Sequence, residues 1–221
     1  MDELKFKVVE IFDSIDGEGK RTGELTTFIR LGGCNLRCSY CDTSYAQNFT
    51  DGEEMSIFEI IDKCKSIGNK NITLTGGEPL ARDSIFDLID KLALFRFYVN
   101  IETNGSIPIY NNPKLKNVFY TMDYKCPSSG MQSKMDLKNL YFLDDNDVLK
   151  FVVGNQDDLE MAYVILSKYD IKAQIYLSPV FGKIDVKDII EFMKKKRNVF
   201  HNARVQIQLH KVIWEPNERG V

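Results

Sequence analysis

The sequence lacks any excess of basic residues: 29 Lys and Arg face 32 Asp and Glu, for a net charge of −3. It therefore offers no broad electrostatic footprint for a nucleic-acid backbone. Long apolar runs are missing as well. Residues 1–10 alternate charge and apolarity, and no later stretch approaches the ~20 apolar residues of a membrane span. The expectation is a cytoplasmic protein with neither membrane nor nucleic-acid partners. Paired cysteines are also absent. There are five, with Cys34, Cys38 and Cys41 inside eight positions and Cys64 and Cys126 isolated, which is not a secreted disulfide framework. No internal repeat, low-complexity tract or linker-like run divides the chain, so one domain over residues 1–221 is expected. A chain of this size buries roughly 70–75% of its unfolded surface, so stability alone requires no metal, and a metal-ligand pattern must be explained by chemistry.

Apolar periodicity predicts strands over residues 6–12, 25–31, 72–75, 97–103, 118–123, 148–153, 174–178 and 205–209. It predicts helices over 55–67, 84–94, 157–168 and 186–195, the first capped by Ser56 and carrying Cys64 on its apolar stripe as a small hydrophobe. Strand–helix alternation argues for an α/β fold with a mainly parallel sheet. The helices are too few for the ~250 residues of a closed eight-fold barrel, so a partial, open β/α barrel is expected. In parallel α/β architectures ligands sit at the carboxyl ends of strands. There fall Thr75-Gly76-Gly77-Glu78-Pro79, Glu102-Thr103-Asn104-Gly105 and Asp123-Tyr124-Lys125, which implies one binding face. The basic residues 194–197 end a helix, where cations favour the dipole.

Cys34, Cys38 and Cys41 form a C-x3-C-x2-C loop. Three thiolates do not complete a tetrahedral zinc site, and the only histidines, His201 and His210, lie about 160 positions downstream. Three thiolates do suit a [4Fe–4S] cluster with one iron left open to bind a small molecule. Spacing alone leaves iron–sulfur, zinc and unrelated reduced thiols open.

The stretch Cys34-Asn35-Leu36-Arg37-Cys38-Ser39-Tyr40-Cys41, with Gly76-Gly77-Glu78-Pro79 after a strand, resembles the signatures of radical S-adenosylmethionine enzymes. A narrower resemblance spans nearly the whole chain. Residues 10–19, Phe28-Ile29-Arg30-Leu31-Gly32-Gly33-Cys34, Cys41-Asp42-Thr43, Thr75-Gly76-Gly77-Glu78-Pro79, Glu102-Thr103-Asn104-Gly105 and Gln208-Leu209-His210-Lys211-Val212-Ile213-Trp214 are similar, in order, to the 7-carboxy-7-deazaguanine synthase family. The resemblance implies a lyase that converts 6-carboxy-5,6,7,8-tetrahydropterin to 7-carboxy-7-deazaguanine with loss of ammonia, on the route to queuosine and other 7-deazapurines. It implies a [4Fe–4S] cluster, S-adenosyl-L-methionine and Mg2+ as cofactors, an electron donor such as flavodoxin or ferredoxin, and a homodimer.

By the same resemblance Cys34, Cys38 and Cys41 bind the cluster, while Ser39, Tyr40, Asp42, Gly77 and Glu78 contact S-adenosylmethionine. Lys125, Cys126 and Pro127 match a further cofactor loop, and Gln174 and Ser178 are late cofactor candidates. Thr43 matches the Mg2+ ligand, and Ile15, Asp16, Gly17, Arg30 and Thr75 match substrate contacts. The chain departs from the family at Asp16, where Gln is common; an acidic side chain still accepts from a pterin amino group. Cys126 is expected to be a reduced thiol, because a fourth ligand would block cofactor chelation. Glu102 and His210 are the titratable candidates for substrate orientation or proton transfer. The triplet alone also suits an activase that installs a glycyl radical in a protein partner, or a zinc module completed by His201 or His210.

Overall fold

The computed structural model describes residues 4–109 and 114–221, so positions 1–3 of the amino-terminal segment lie outside it. Its strands are β1 Lys5–Ile15, β2 Leu25–Leu31, β3 Glu53–Ser56, β4 Asn71–Gly76, β5 Tyr98–Thr103, β6 Val118–Lys125, β7 Val148–Val153, β8 Gln174–Pro179 and β9 Ala203–Val205. They form one sheet in the order β3-β1-β2-β4-β5-β6-β7-β8-β9. β1 is antiparallel to both neighbours and every other pairing is parallel. Helices α1 Ile57–Ile67, α2 Ile85–Leu94, α3 Gln156–Lys168, α4 Val186–Lys195, α5 Arg197–Phe200 and α6 His210–Ile213 complete the fold. The ends of the sheet do not meet, so the molecule is the open β/α barrel that the alternation implied. Among the described residues no helix is long and apolar enough to cross a membrane.

Two differences from the sequence reading have local causes. Met55 pairs with Phe6 in the edge strand β3 and is buried there, so the first helix starts at Ile57. Ser56 still caps it, in a capping box with Glu59, and left-handed Gly68 ends it. The last strand stops at Val205: Gln206 N still donates to Leu177 O of β8 at 3.0 Å, but beyond it the chain turns to the loop after β1. Gln206 exchanges side-chain hydrogen bonds with the backbone of Gly19, at 2.6 and 3.0 Å, and Leu209 N donates to Gly17 O at 3.0 Å.

Strand alternation separates two chemistries. One face carries Ile29, Leu31, Ile72, Leu74, Val99, Ile101, Leu149 and Phe151, all buried in the core shared with α1, α2 and α3. Cys64 belongs to that core, where burial pushes its thiol up to about 12. The other face is polar yet paired: Thr121 Oγ1 donates to Asn100 Oδ1 at 2.9 Å, and Thr26 and Thr73 hydroxyls meet at 3.3 Å.

Arg21 bolts this polar interior. Its Nε donates to Asp16 Oδ2 at 2.9 Å, and its two terminal nitrogens donate to Tyr98 O, Ile72 O and Thr73 Oγ1 at 3.0, 2.9 and 3.0 Å. The two side chains are 8% and 2% exposed, so removing one partner strands a buried charge. Arg21→Met is expected to lower the unfolding free energy by about 3–5 kcal/mol, and adding Asp16→Asn should restore part of it. Urea denaturation of the two variants against the parent checks both.

Candidate active site

The cysteine loop is seated on backbone rather than on side chains. Gly77 N donates to Leu31 O at 3.0 Å, Glu78 N to Gly33 O at 2.8 Å, and Cys34 N to Gln47 O at 3.0 Å. So close an approach requires glycine: a Cβ on Gly77 would fall on the Gly33 carbonyl and crowd Cys34 N at 2.8 Å. The Glu78 carboxylate joins three loops, accepting from Leu80 N at 3.0 Å, Thr103 Oγ1 at 2.8 Å and Asn104 N at 2.6 Å. Burial pushes its pKa up to about 7 against those donors. Asn104 Nδ2 in turn reaches Asn35 Oδ1 at 3.0 Å and Cys34 Sγ at 3.8 Å. Three of the sequence motifs are thus one hydrogen-bonded unit.

All three thiols of the triplet are free and part-exposed, and they line one cavity of about 420 Å³. Burial pushes the Cys34 and Cys38 thiols above their ordinary range. Around a single zinc the sulfurs would sit about 2.3 Å from one point, yet among the described residues no three His, Cys, Asp or Glu side chains form such a group. His201 is exposed after α5, and His210 packs against Gly17, whose missing side chain makes room for the ring. Neither histidine completes a zinc site. Three free thiols on one loop are the donor set of a cluster that keeps one iron open.

Ile15, Gly17, Arg30, Thr75, Tyr40, Asp42, Thr43, Gly77, Glu102, Lys125 and His210 share the cavity wall with the cysteines. Thr75 Oγ1 donates to Glu102 Oε2 at 2.8 Å, and Lys211 Nζ to Asp42 Oδ2 at 2.9 Å, which ties α6 to the cysteine loop. Arg30 Nε donates to Glu10 Oε1 at 2.6 Å. Thr43 Oγ1 lies 3.8 Å from Cys41 Sγ. The Tyr40 hydroxyl is buried with no hydrogen-bond partner among the described residues.

Other expected contacts stand behind the wall. Asp16 spends its carboxylate on Arg21 and on Thr73 Oγ1, the latter at 2.6 Å, and leaves only its neighbours Ile15 and Gly17 in the cavity. Ser39 donates its hydroxyl to Ser128 O at 2.7 Å. Cys126 is a buried thiol, and Pro127 opens the short 3-10 turn Pro127–Ser129. Gln174 accepts from Arg204 at 3.1 Å, and Ser178 is buried in β8.

Sequence reasoning missed a cation in the wall. Lys150 is buried, with Nζ 3.0 Å from Asp123 Oδ1 and 3.1 Å from Glu18 Oε2, while Lys125 Nζ lies 3.1 Å from Asp123 Oδ2. Burial would lower the Lys150 pKa, but the Asp123, Glu18 and Glu102 carboxylates outweigh it and hold the ammonium charged. The available signal was a lone lysine inside an otherwise apolar strand, Val148-Leu149-Lys150-Phe151-Val152-Val153.

Residues 28–116 match the Radical SAM superfamily. The chain is 47% identical over 224 residues to the 7-carboxy-7-deazaguanine synthase of Clostridium acetobutylicum, with 99% of this chain and 100% of that protein covered. The chain belongs to the 7-carboxy-7-deazaguanine synthase family. A protein of the same name from Methanospirillum hungatei is 40% identical, over 95% of this chain and 86% of its own. The crystal structure of QueE from Escherichia coli superposes with a TM-score of 0.74 at 23% identity, over 93% of this chain and 95% of that one, which supports the fold. Membership in this family of radical S-adenosylmethionine enzymes implies a [4Fe–4S] cluster and S-adenosylmethionine.

Proposed function

We propose that this chain converts 6-carboxy-5,6,7,8-tetrahydropterin to 7-carboxy-7-deazaguanine with release of ammonia, in queuosine and 7-deazapurine biosynthesis in the cytoplasm. The observation that carries the reading is one cavity walled by three free thiols, the Arg30 guanidinium and the carboxylates of Glu18, Glu102 and Asp123. Cys34, Cys38 and Cys41 would hold the cluster. With S-adenosylmethionine bound, it supplies a carbon-centred radical able to take a hydrogen atom from the substrate.

The chain's own residues orient the reaction. Gly77 and Glu78 would receive the methionyl end, and Tyr40, with its neighbours Ser39 and Asp42, would face the adenosine. Arg30 keeps its terminal nitrogens for a substrate carboxylate, since Nε is taken by Glu10. Thr43 would offer a hard oxygen to Mg2+, which would supply positive charge beside the substrate. Desolvation pushes the Glu102 carboxyl above its usual range, and with Thr75 Oγ1 donating to its Oε2 at 2.8 Å it is held on the cavity wall to orient the substrate or move a proton. A flavodoxin- or ferredoxin-like protein supplies the electron, and the working unit is a homodimer.

Anaerobically reconstituted protein, given the pterin, reductant, Mg2+ and S-adenosylmethionine, is expected to release deazaguanine product and ammonia one to one, and more slowly without Mg2+. Cleavage of S-adenosylmethionine with no deazaguanine would refute the substrate assignment.

A further inference from the structure

The short helix α6 braces two sides of the cavity. On one side Leu209 N donates to Gly17 O at 3.0 Å, and the His210 ring fills the space that a side chain on Gly17 would take. On the other, Lys211 Nζ donates to Asp42 Oδ2 at 2.9 Å. Three consecutive residues thus join the loop after β1 to the cysteine loop, although 169 positions separate Lys211 from Asp42.

The two partners of that last contact are unequally free. The Lys211 side chain is 10% exposed and that of Asp42 51%. Lys211 Nζ also lies over the Phe181 ring, 5.8 Å from its centroid. The helix behind it has little play: Val212 N and Ile213 N return to Leu209 O at 3.0 and 3.1 Å, and Trp214 N to His210 O at 3.0 Å. The ammonium is therefore the fixed partner. A half-exposed carboxylate left alone would sample several rotamers in water, and the ion pair removes that freedom. Asp42 follows Cys41 and precedes Thr43, and all three line the cavity with Lys211.

We propose that Lys211 is a positioning residue for S-adenosylmethionine: acting through Asp42, it fixes the carboxylate and the backbone between Cys41 and Thr43 against which the adenosine end of the cofactor packs. That role rests on the reading of S-adenosylmethionine bound beside the cysteine loop, and deepens it by a residue that reaches the cofactor only through another. Removing a group that orients a contacting residue costs about 10- to 100-fold in affinity or activity. The exposure of Asp42 places this pair at the lower end of that range, because water screens it.

The test is a double-mutant cycle read by equilibrium binding of S-adenosylmethionine to anaerobic, cluster-loaded protein. Lys211→Met and Asp42→Asn are each expected to raise the Kd about 10-fold, and the double variant no further than either single one. Lys211→Arg keeps the charge and should bind within about 2-fold of the parent. Amide hydrogen exchange over residues 42–46, measured without S-adenosylmethionine, should quicken in Lys211→Met and not in Lys211→Arg. Iron content and thermal midpoint verify that each variant is folded, and Lys211→Gln carries the same comparison in place of a Met variant that loads poorly. Single effects that add in the double variant, or a Lys211→Met that binds the cofactor as the parent does, would overturn the role of Lys211 while leaving the cofactor reading intact. A parent that carries the cluster and binds no S-adenosylmethionine would overturn both.

Discussion

Cys38→Ala is expected to abolish S-adenosylmethionine cleavage, with no 5′-deoxyadenosine and no deazaguanine above background. The cysteine loop supplies three thiols to the cavity wall, and the only other cysteines, Cys64 and Cys126, are buried away from it. No other cysteine lines the cavity to replace a lost thiolate. The loop itself should survive, because its fixing bonds are elsewhere: Ser39 N donates to Ser129 O at 3.1 Å and Cys34 N to Gln47 O at 3.0 Å. A part-exposed thiol contributes little to packing, so stability should shift by no more than about 0.5 kcal/mol. Iron and sulfide content, deoxyadenosine formation and the thermal midpoint, measured together, separate this outcome from unfolding.

Gly77→Ala is expected to cost at least about 100-fold in S-adenosylmethionine cleavage, because a misplacement of roughly 1 Å carries a penalty of that order. The added methyl meets backbone, the Gly33 carbonyl and Cys34 N, and no side-chain rotation relieves it. Either the cysteine loop or the Gly76-Gly77-Glu78 turn must move. The hydrogen bonds that would strain are Gly77 N to Leu31 O and Glu78 N to Gly33 O, at 3.0 and 2.8 Å. Overpacking of this kind costs about 1–3 kcal/mol in stability. Gly68→Ala is the contrast: its added methyl meets nothing within 4 Å, so only the strain of its left-handed backbone, φ 98°, is felt, and cofactor cleavage should be retained.

The parts of the fold legible in the sequence were those set by local rules. Ser56, Glu59 and Gly68 mark a helix by their own hydrogen bonds and backbone, and alternation in β4 and β5 marks strands with one apolar face. β3 was not legible, because four residues with two adjacent glutamates show neither period; their state is decided by pairing with β1. The cysteine triplet was legible because a short loop carries all of it. Glu18 and Lys150 were not: they lie 132 positions apart, and only the assembled sheet brings them to 3.1 Å. Asp16 shows the opposite limit. Its position beside the cavity follows from the strand, but its carboxylate turns to Arg21 and Thr73, a choice set by β4 and invisible in the residues around it.

The proposed function turns on a cluster that would be held through Cys34, Cys38 and Cys41 with its fourth iron left open. Electron paramagnetic resonance of the oxygen-free, reduced protein, recorded before and after S-adenosylmethionine is added, tests this most directly. The account predicts about four irons per chain, a reduced-cluster signal, and a marked change in that signal when the sulfonium compound binds. A signal indifferent to the addition, or a protein that carries zinc and no iron, would contradict it.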